Sequence, residues 1–298
     1  MTWRTLSDHF STTLAFVFCA SQTAGVCRAR NTAARNARAP FLVVLDSDDR
    51  LRSDYLTQID AAFQRDPGLG LVGVDPIEFD DDSGAFLEQL SGGDPPLART
   101  PPDGVLETLL GTPFLYHGAT FKADTFNAIG GYDTGLAMME DLDIWIRAAA
   151  SGAGVRLLAE PLYQYRVRSG SAARQVVDPM RMSVWARIVL QKAQADLELT
   201  GRERAAARGR ERLLSSFIED SRRRSAHREG VPREATQAAW RAFKFQPSIR
   251  RFVVFGALRM RLPLGNRFFD DTASNGGDSR ERAAGGLRAR RSGNARDK

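Results

Sequence analysis

"FLVVLDSDDRL", residues 41–51, is an apolar run that ends in three carboxylates within four positions: Asp46, Asp48 and Asp49. Carboxylates this close repel one another and raise each other's pKa values. A strand that delivers them to one place calls for a cation nearby, or else the segment is a solvated turn with an Asx cap. Working outward, Leu56, Ile59 and Phe63 lie at helical spacing within residues 52–65, and Pro67-Gly68 stop that helix. "LGLVGV" (69–74) then reads as a strand; upstream, 12–20 reads as a strand, 26–37 as a helix and 40–46 as a strand. The alternation predicts an α/β layer with parallel strands. Open α/β sheets bind ligands beyond the carboxyl ends of their strands. Hard cations such as Mg²⁺ or Mn²⁺ take oxygen ligands, commonly one or two carboxylates plus substrate phosphates. A D-x-D pair at a strand end therefore suits a metal–diphosphate site.

Downstream, residues 75–103 look loop-like, with Gly92-Gly93 and Pro95-Pro96, and "DDD" (80–82) reads as a solvated hairpin turn. The chain looks extended around Phe114–Phe121 and helical at 123–128. "GGYD" (130–133) is a turn, 139–151 a helix, and 154–158 and 162–167 two strands. From Pro179 the composition changes to Arg/Glu/Ala-rich helices at 180–199, 202–227 and 233–244, and the Gly/Arg/Ser-rich end after about Asn275 reads as disordered. The expected organisation is a sheet domain over 1–178, a helical region over 179–270 and a basic tail over 271–298.

The chain has 298 residues and a net charge of +6, unevenly spread. From Pro179 onward 27 Lys+Arg face 13 Asp+Glu, so an acidic globular part precedes a basic one. Only four of the 42 basic residues are lysines, a bias that says little about a ligand. Nucleic-acid binding lacks an aromatic-interleaved motif, so no specific nucleic-acid partner is expected. Two cysteines, Cys19 and Cys27, give no disulfide framework, and a reducing compartment is the default. No apolar run reaches the ~18–20 residues of a membrane span. "TTLAFVFCASQTAGV" (12–26) has only Arg4 against Asp8 before it, a weak start for a signal peptide, so a buried strand and a cytoplasmic protein are expected.

Two longer stretches surround the acidic strand end: "GVCRARNTAARNARAPFLVVLDSDD" and "FKADTFNAIGGYDTGLAMMEDLDIWIRAAASGAGVRLLAEPLYQYRVRSGS". Together they resemble family 2 glycosyltransferases of the GT-A fold. That pattern runs G-x-x-x-A-R-N, an apolar strand into D-x-D-D, G-G-[FY]-D, E-D-x-D-x-W-x-R, and a Leu-Tyr-x-Tyr-Arg strand. Gly25, Ala29, Arg30, Asn31, Asp46, Asp48, Asp49, Gly130, Gly131, Tyr132, Asp133, Glu140, Asp141, Asp143, Trp145, Arg147, Tyr165 and Arg166 fall on it in order. The match covers roughly residues 13–173. The resemblance implies a nucleotide-sugar donor, in the first instance a UDP-sugar, and a hydroxyl acceptor such as a lipid-linked one. It implies that Asp46 and Asp48 hold a divalent cation on the donor diphosphate, and that Gly25, Arg30, Asn31 and Asp46 lie on the donor side. Asp141, with Glu140 beside it, would be the general base for the acceptor hydroxyl. His117, Trp145 and Arg147 are candidates for the acceptor side. The residues alone allow blander readings: "EDLDIWIR" as an amphipathic helix with acids at its positive end, Trp145 as core, His117 as a satisfied, partly buried histidine.

Two departures stand out. The family opens with a strand, a helix and a strand ending in a D-D-G-S-like motif that grips the donor nucleoside, whereas here A-R-N arrives at residue 29. The expectation is a GT-A fold incomplete at its N-terminus, through a misplaced start, a fragmentary gene or completion by a partner. Second, Arg168 stands in "YRVRSGS" where many relatives carry His. Arginine cannot ligate a metal but can bind diphosphate oxygens. A non-catalytic GT-A-like binding or assembly protein, or an inactive fragment, is the alternative to a working transferase. "VVLDSDD" also resembles the opening of haloacid-dehalogenase-like phosphatases, but Arg50 occupies the position where that motif has Thr or Val, and E-D-x-D-x-W-x-R has no place there. Finally, "SIRRFVVFGALRMRLPLGNRFF" can gather Ile249, Phe252, Val253, Leu258 and Leu262 on one helical side among arginines. That pattern fits a helix lying in a membrane interface, peripheral on the inner face, as well as one packed on the protein.

Overall fold

The computed structural model describes residues 25–91, 93–112, 117–167 and 178–260. The expected strand at 12–20, the expected disordered tail, Leu262 and Arg168 lie outside the described residues, as does the side chain of His117. The chain divides into two compact units, one through Ser215 and one from Ser216.

The first unit is built on a six-stranded mixed sheet. Its strands are β1 (Phe41–Val43), β2 (Arg50–Leu51), β3 (Leu69–Asp80), β4 (Phe86–Gln89), β5 (His117–Lys122) and β6 (Gly154–Val167). The order is β1-β5-β3-β6-β2, with β4 also on β3. Among the described residues only β3 and β6 pair in parallel, from Leu69 opposite Gly154 to Asp80 opposite Val167. The expected parallel pairing is found in that pair, and the sheet as a whole is mixed. β5 inserts antiparallel between β1 and β3, pairing Leu42 with Phe121 and Leu71 with Phe121 on its two edges. The apolar run at 69–74 marks a central strand buried on both faces, but not which neighbours flank it.

β3 also runs six residues beyond the expected end, through a stretch read as loop. Pro76 and Asp75 lower strand propensity there, and the ladder with β6 accommodates them by a register shift between Val74 and Pro76. Asp75 is fully buried and accepts a 2.5 Å bond from the Ser91 hydroxyl. β4 then folds back on β3, so the "DDD" stretch is a hairpin turn after an apolar strand end that includes buried Phe79. The two strands expected at 154–158 and 162–167 are one strand, β6.

The helices are α1 (Gly25–Asn36), α2 (Tyr55–Arg65), α3 (Val105–Gly111), α4 (Ala123–Ala128), α5 (Glu140–Ala150), α6 (Pro179–Asp196) and α7 (Gly201–Arg228). α2 covers one sheet face, burying Tyr55, Ile59 and Phe63 against Val72, Val74, Leu162 and Tyr163. The other face is larger. There Leu71, Phe121 and Leu157 meet Leu109 of α3, Leu142, Ile144 and Trp145 of α5, and Val189 and Leu190 of α6. α6 thus belongs to the sheet unit, and the boundary expected at 178/179 falls inside that unit. A salt bridge ties it down: Lys192 Nζ lies 2.7 Å from Asp133 and 3.0 Å from Asp143.

Trp145 packs so closely on β3 that a Cβ at Gly73 would lie 2.3 Å from its ring. Gly73→Ala is therefore expected to destabilise the protein by about 1–3 kcal/mol, the usual cost of overpacking. Urea melts with an unchanged midpoint would show that the ring has room to retreat.

The second unit contains the end of α7, α8 (Pro232–Phe245) and α9 (Ile249–Arg259). Ala235, Ala238, Ala239 and Ala242 bury the small-residue face of α8, and Val254 and Ala257 bury one face of α9. Glu219 and Asp220 of α7 accept ion pairs from Arg241 and Arg251 at 2.8 and 3.0 Å. No helix among the described residues is long and apolar enough to cross a membrane.

Candidate active site

Four elements of the first unit converge at the carboxyl edge of the sheet. α1 brings Arg30. The turn after β1 brings Asp46, Asp48 and Asp49. The N-terminus of α5 brings Glu140 and Asp141, and β6 brings Tyr163 and Arg166. The Arg30 guanidinium joins three of them. It lies 2.8 Å from Asp46, 3.0 Å from Glu140 and 3.0 Å from Asp141, over the ring of Tyr132 at 5.1 Å. Its side chain is only 14% exposed, so these pairs are shielded from water and matter more than surface bridges.

The acidic turn closes with the Asp49 amide donating to the Asp46 carbonyl at 3.1 Å. Asp49 is the buried anchor. Its carboxylate accepts from the Tyr163 hydroxyl at 2.6 Å and from the Arg166 amide at 2.8 Å. Burial pushes its pKa up and those two bonds pull it down. Tyr163 also accepts the Asp46 amide at 3.3 Å. Arg166 donates to the Asp48 carbonyl and pairs with Asp81, so the β3–β4 turn braces the same corner. With its neighbours fixed, Asp48 points its carboxylate outward as an exposed residue.

α5 starts from an unusual backbone. Met139, at φ 63°, is the one non-glycine residue in the left-handed region among the described residues. Such strain persists where surrounding packing holds it and clusters at functional sites. Here it sets Glu140 and Asp141 toward Arg30. The Asp141 pKa is pushed up to about 7: burial raises it most, Glu140 and Asp46 add to the rise, and Arg30 opposes it. The buried Tyr132 hydroxyl sits beside Asp141, short of a well-formed hydrogen bond.

The remaining sequence-named residues separate. Asn31 is spent on framework. Its side-chain amide donates to the Tyr132 carbonyl at 2.8 Å and its oxygen accepts from the Tyr132 amide at 2.8 Å. A Cβ on Gly131, at φ 69°, would lie 2.7 Å from that Asn31 oxygen. Trp145 is fully buried in the core. Arg147 is held by Asp143 and by the Ile129 carbonyl at 2.6 Å, a framework role as well. Gly25 opens α1 at φ 76°, exposed and with no atom near its Cβ position. His117 pairs with Val74 through its backbone in β5. Tyr163, Met139 and Lys192 were not singled out from sequence. The Leu-Tyr-x-Tyr-Arg motif contains Tyr163, and its period of two puts it on the face opposite Gln164, which was the available signal.

No group of three or more His, Cys, Asp or Glu side chains converges as a metal cage among the described residues. A hard cation does not require one, because substrate phosphates complete the shell. The residues present fit such an ion: Asp46 and Asp48 offer carboxylate oxygens on one short turn, and among the described residues Arg30 is shared by three carboxylates.

An acidic turn at a strand edge, a largely buried carboxylate poised near neutrality and a bridging arginine are thus gathered on one mixed α/β sheet. The model of the glycosyl transferase family group 2 matches residues 41–218, more than half of the chain, and the chain belongs to that family. Its sheet is accordingly the GT-A type of α/β fold. Over 148 residues the chain is 25% identical to the uncharacterized protein y4gI of Sinorhizobium fredii (strain NBRC 101917 / NGR234), spanning 49% of this chain and 15% of that one. Among solved structures it is similar to S. aureus TarS 1–349 in complex with UDP-GlcNAc, with 15% identity and a TM-score of 0.43, over 82% of this chain and 63% of that one. It is also similar to the mannosyltransferase PcManGT of Pyrobaculum calidifontis in complex with GDP-Man and Mn²⁺, with 18% identity and a TM-score of 0.45, over 80% and 59%. The chain thus spans less than two thirds of each of these proteins.

Proposed function

We propose that this chain transfers a sugar from a nucleotide-diphospho-sugar, in the first instance a UDP-sugar, to an acceptor hydroxyl with inversion at the anomeric carbon. The observation that carries the reading is the Arg30 bridge, which joins the acidic turn to the α5 carboxylates in one shielded site. Asp141 is the base: its pKa near 7 lets it take a proton at working pH and keep enough basicity to matter. Arg30 orients it. Asp46 and Asp48 would hold Mg²⁺ or Mn²⁺ against the donor diphosphate, where the ion neutralises charge on the departing nucleoside diphosphate. Arg168, outside the described residues, is a candidate for a further diphosphate contact. The acceptor is assigned to cell-surface polysaccharide or glycolipid synthesis, lipid-linked and met at the inner face of the membrane.

The test is transfer from a panel of UDP- and GDP-sugars with Mn²⁺ to lipid-linked and free saccharide acceptors, with the product anomer read by NMR. Retained configuration, or no turnover of any donor in the panel, would overturn the reading. Asp48→Ala is a sharper probe because the side chain is exposed and its loss leaves the Asp49 anchor in place. The variant is expected to lose metal-dependent donor binding by calorimetry while melting like the wild type. Undiminished metal-dependent binding would remove Asp48 from the metal site.

A further inference from the structure

Among the described residues, the second unit exposes a helical stripe on α9. On α9, Ile249 is 85% exposed, Phe252 58%, Val253 45% and Met260, just past the helix end, 65%. With Gly256 these stand at i, i+3, i+4, i+7 and i+11, a single face. The buried Val254 and Ala257 lie about 140° and 80° around the helix from Ile249, on the side of Arg250. The stripe continues onto α8 through an aromatic cluster: the Phe252 and Phe243 rings meet tilted at 5.7 Å, and Trp240 lies 4.9 Å from Phe255. Trp240 is itself 40% exposed.

The charges around this face are of one sign. From Ile249 to Met260 there are three arginines and no acid. Arg250 and Arg259 lie about 100° and 80° either side of the stripe's centre, from the 3.6-residue period, and Lys244 sits over the Trp240 ring at 5.9 Å. Over residues 216–260 ten Lys+Arg face four Asp+Glu. Two of those four, Glu219 and Asp220, are already paired with arginines. An apolar stripe with Trp and Phe, flanked by cations, matches the composition of helices that lie in the interface of an anionic bilayer. A protein partner would need to supply a matching acidic rim around an apolar centre; a bilayer of anionic lipid supplies both over any area.

We infer that α9, with the aromatic end of α8, is a docking face for an anionic lipid surface, entered by Ile249, Phe252 and Val253 and held by the flanking arginines. The inference does not depend on catalysis, since it concerns the second unit alone.

The test is flotation of the full chain with vesicles of phosphatidylcholine alone and of phosphatidylcholine with phosphatidylglycerol. Binding to the anionic vesicles is expected to weaken with salt, to be at least about tenfold stronger than to neutral ones, and to shift Trp240 emission to the blue. Ile249→Glu with Val253→Glu should reduce it at least about tenfold, with an unchanged melting temperature because both side chains are exposed. Binding that survives this double variant would place attachment elsewhere and overturn the inference. So would the absence of anionic-vesicle binding by the wild type, whether because a second copy covers the face, seen as a dimer that the double variant dissociates, or because the chain's own residues do.

Discussion

Asp141→Asn is expected to lower sugar transfer by about 10²–10⁴-fold, the scale of a general base, with donor binding retained. The replacement is isosteric and removes only basicity. Wild-type transfer should rise with pH through about 7 and level off above it, because only the carboxylate form can take the acceptor proton. The same shift gives a stability signature. Folded Asp141 keeps its proton up to about 7, whereas the unfolded chain releases it near 3.8, the ordinary value of an aspartate. Between those values the folded state binds more protons, so this group's contribution falls as pH rises. The asparagine variant carries no such proton. Its melting temperature should therefore equal or exceed the wild type's at pH 8, with the gap closing toward pH 5. A variant with near-wild-type turnover would move the base to Glu140. One that melts far lower at pH 8 would make Asp141 a framework residue.

The combination of a slower enzyme with a firmer fold is the ordinary signature of a site that stores unfavourable electrostatics for use. It separates Asp141 from its neighbour Asp143, two residues on. Asp143 is 3% exposed, yet Arg147 and Lys192 satisfy its carboxylate. Asp141 shares the single Arg30 cation with Asp46 and Glu140 and is left under-compensated, poised for chemistry, whereas a fully compensated acid such as Asp143 holds helices together. The motif E-D-x-D contains both kinds, and spacing alone does not distinguish them.

Local elements were legible because their signals are local. The helix read at 26–37 is α1 at 25–36, the one read at 123–128 is α4, and the C-terminal helices start within a residue or two of their expected positions. Sheet order was not, since β5 reaches its place between β1 and β3 from about 75 residues downstream of β1 and leaves no trace in periodicity. The division of labour within the motifs was hidden for the same reason. Asn31 spends its amide on Tyr132, 101 residues away, and Tyr163 reaches Asp49 across 114. Only the folded chain shows which polar residues face each other and which remain available to a ligand.

Arg30→Met should produce the largest loss of stability of any single change at the site, about 1–3 kcal/mol at pH 8, below the cost of breaking a fully buried pair because its carboxylate partners are 14–37% exposed. Methionine keeps much of the length and lies against Tyr132, so the effect isolates the charge. Three carboxylates, Asp46, Glu140 and Asp141, lose their shared cation at once. Part of the deficit should disappear at lower pH, where Asp141 takes a proton and one of the three charges is gone. Arg30→Lys should fall between, because a single ammonium cannot span carboxylates on two elements while lying flat on an aromatic ring. Added Mg²⁺ or Mn²⁺ should recover some stability in Arg30→Met, since Asp46 is freed for the metal and binding to the folded state alone is stabilising. Denaturant melts at pH 8 and pH 5, with and without metal, read all of these. Wild-type stability at pH 8 would mean that water already screens the cluster, and the shielded bridge that supports the assignment of Asp141 would lose its force.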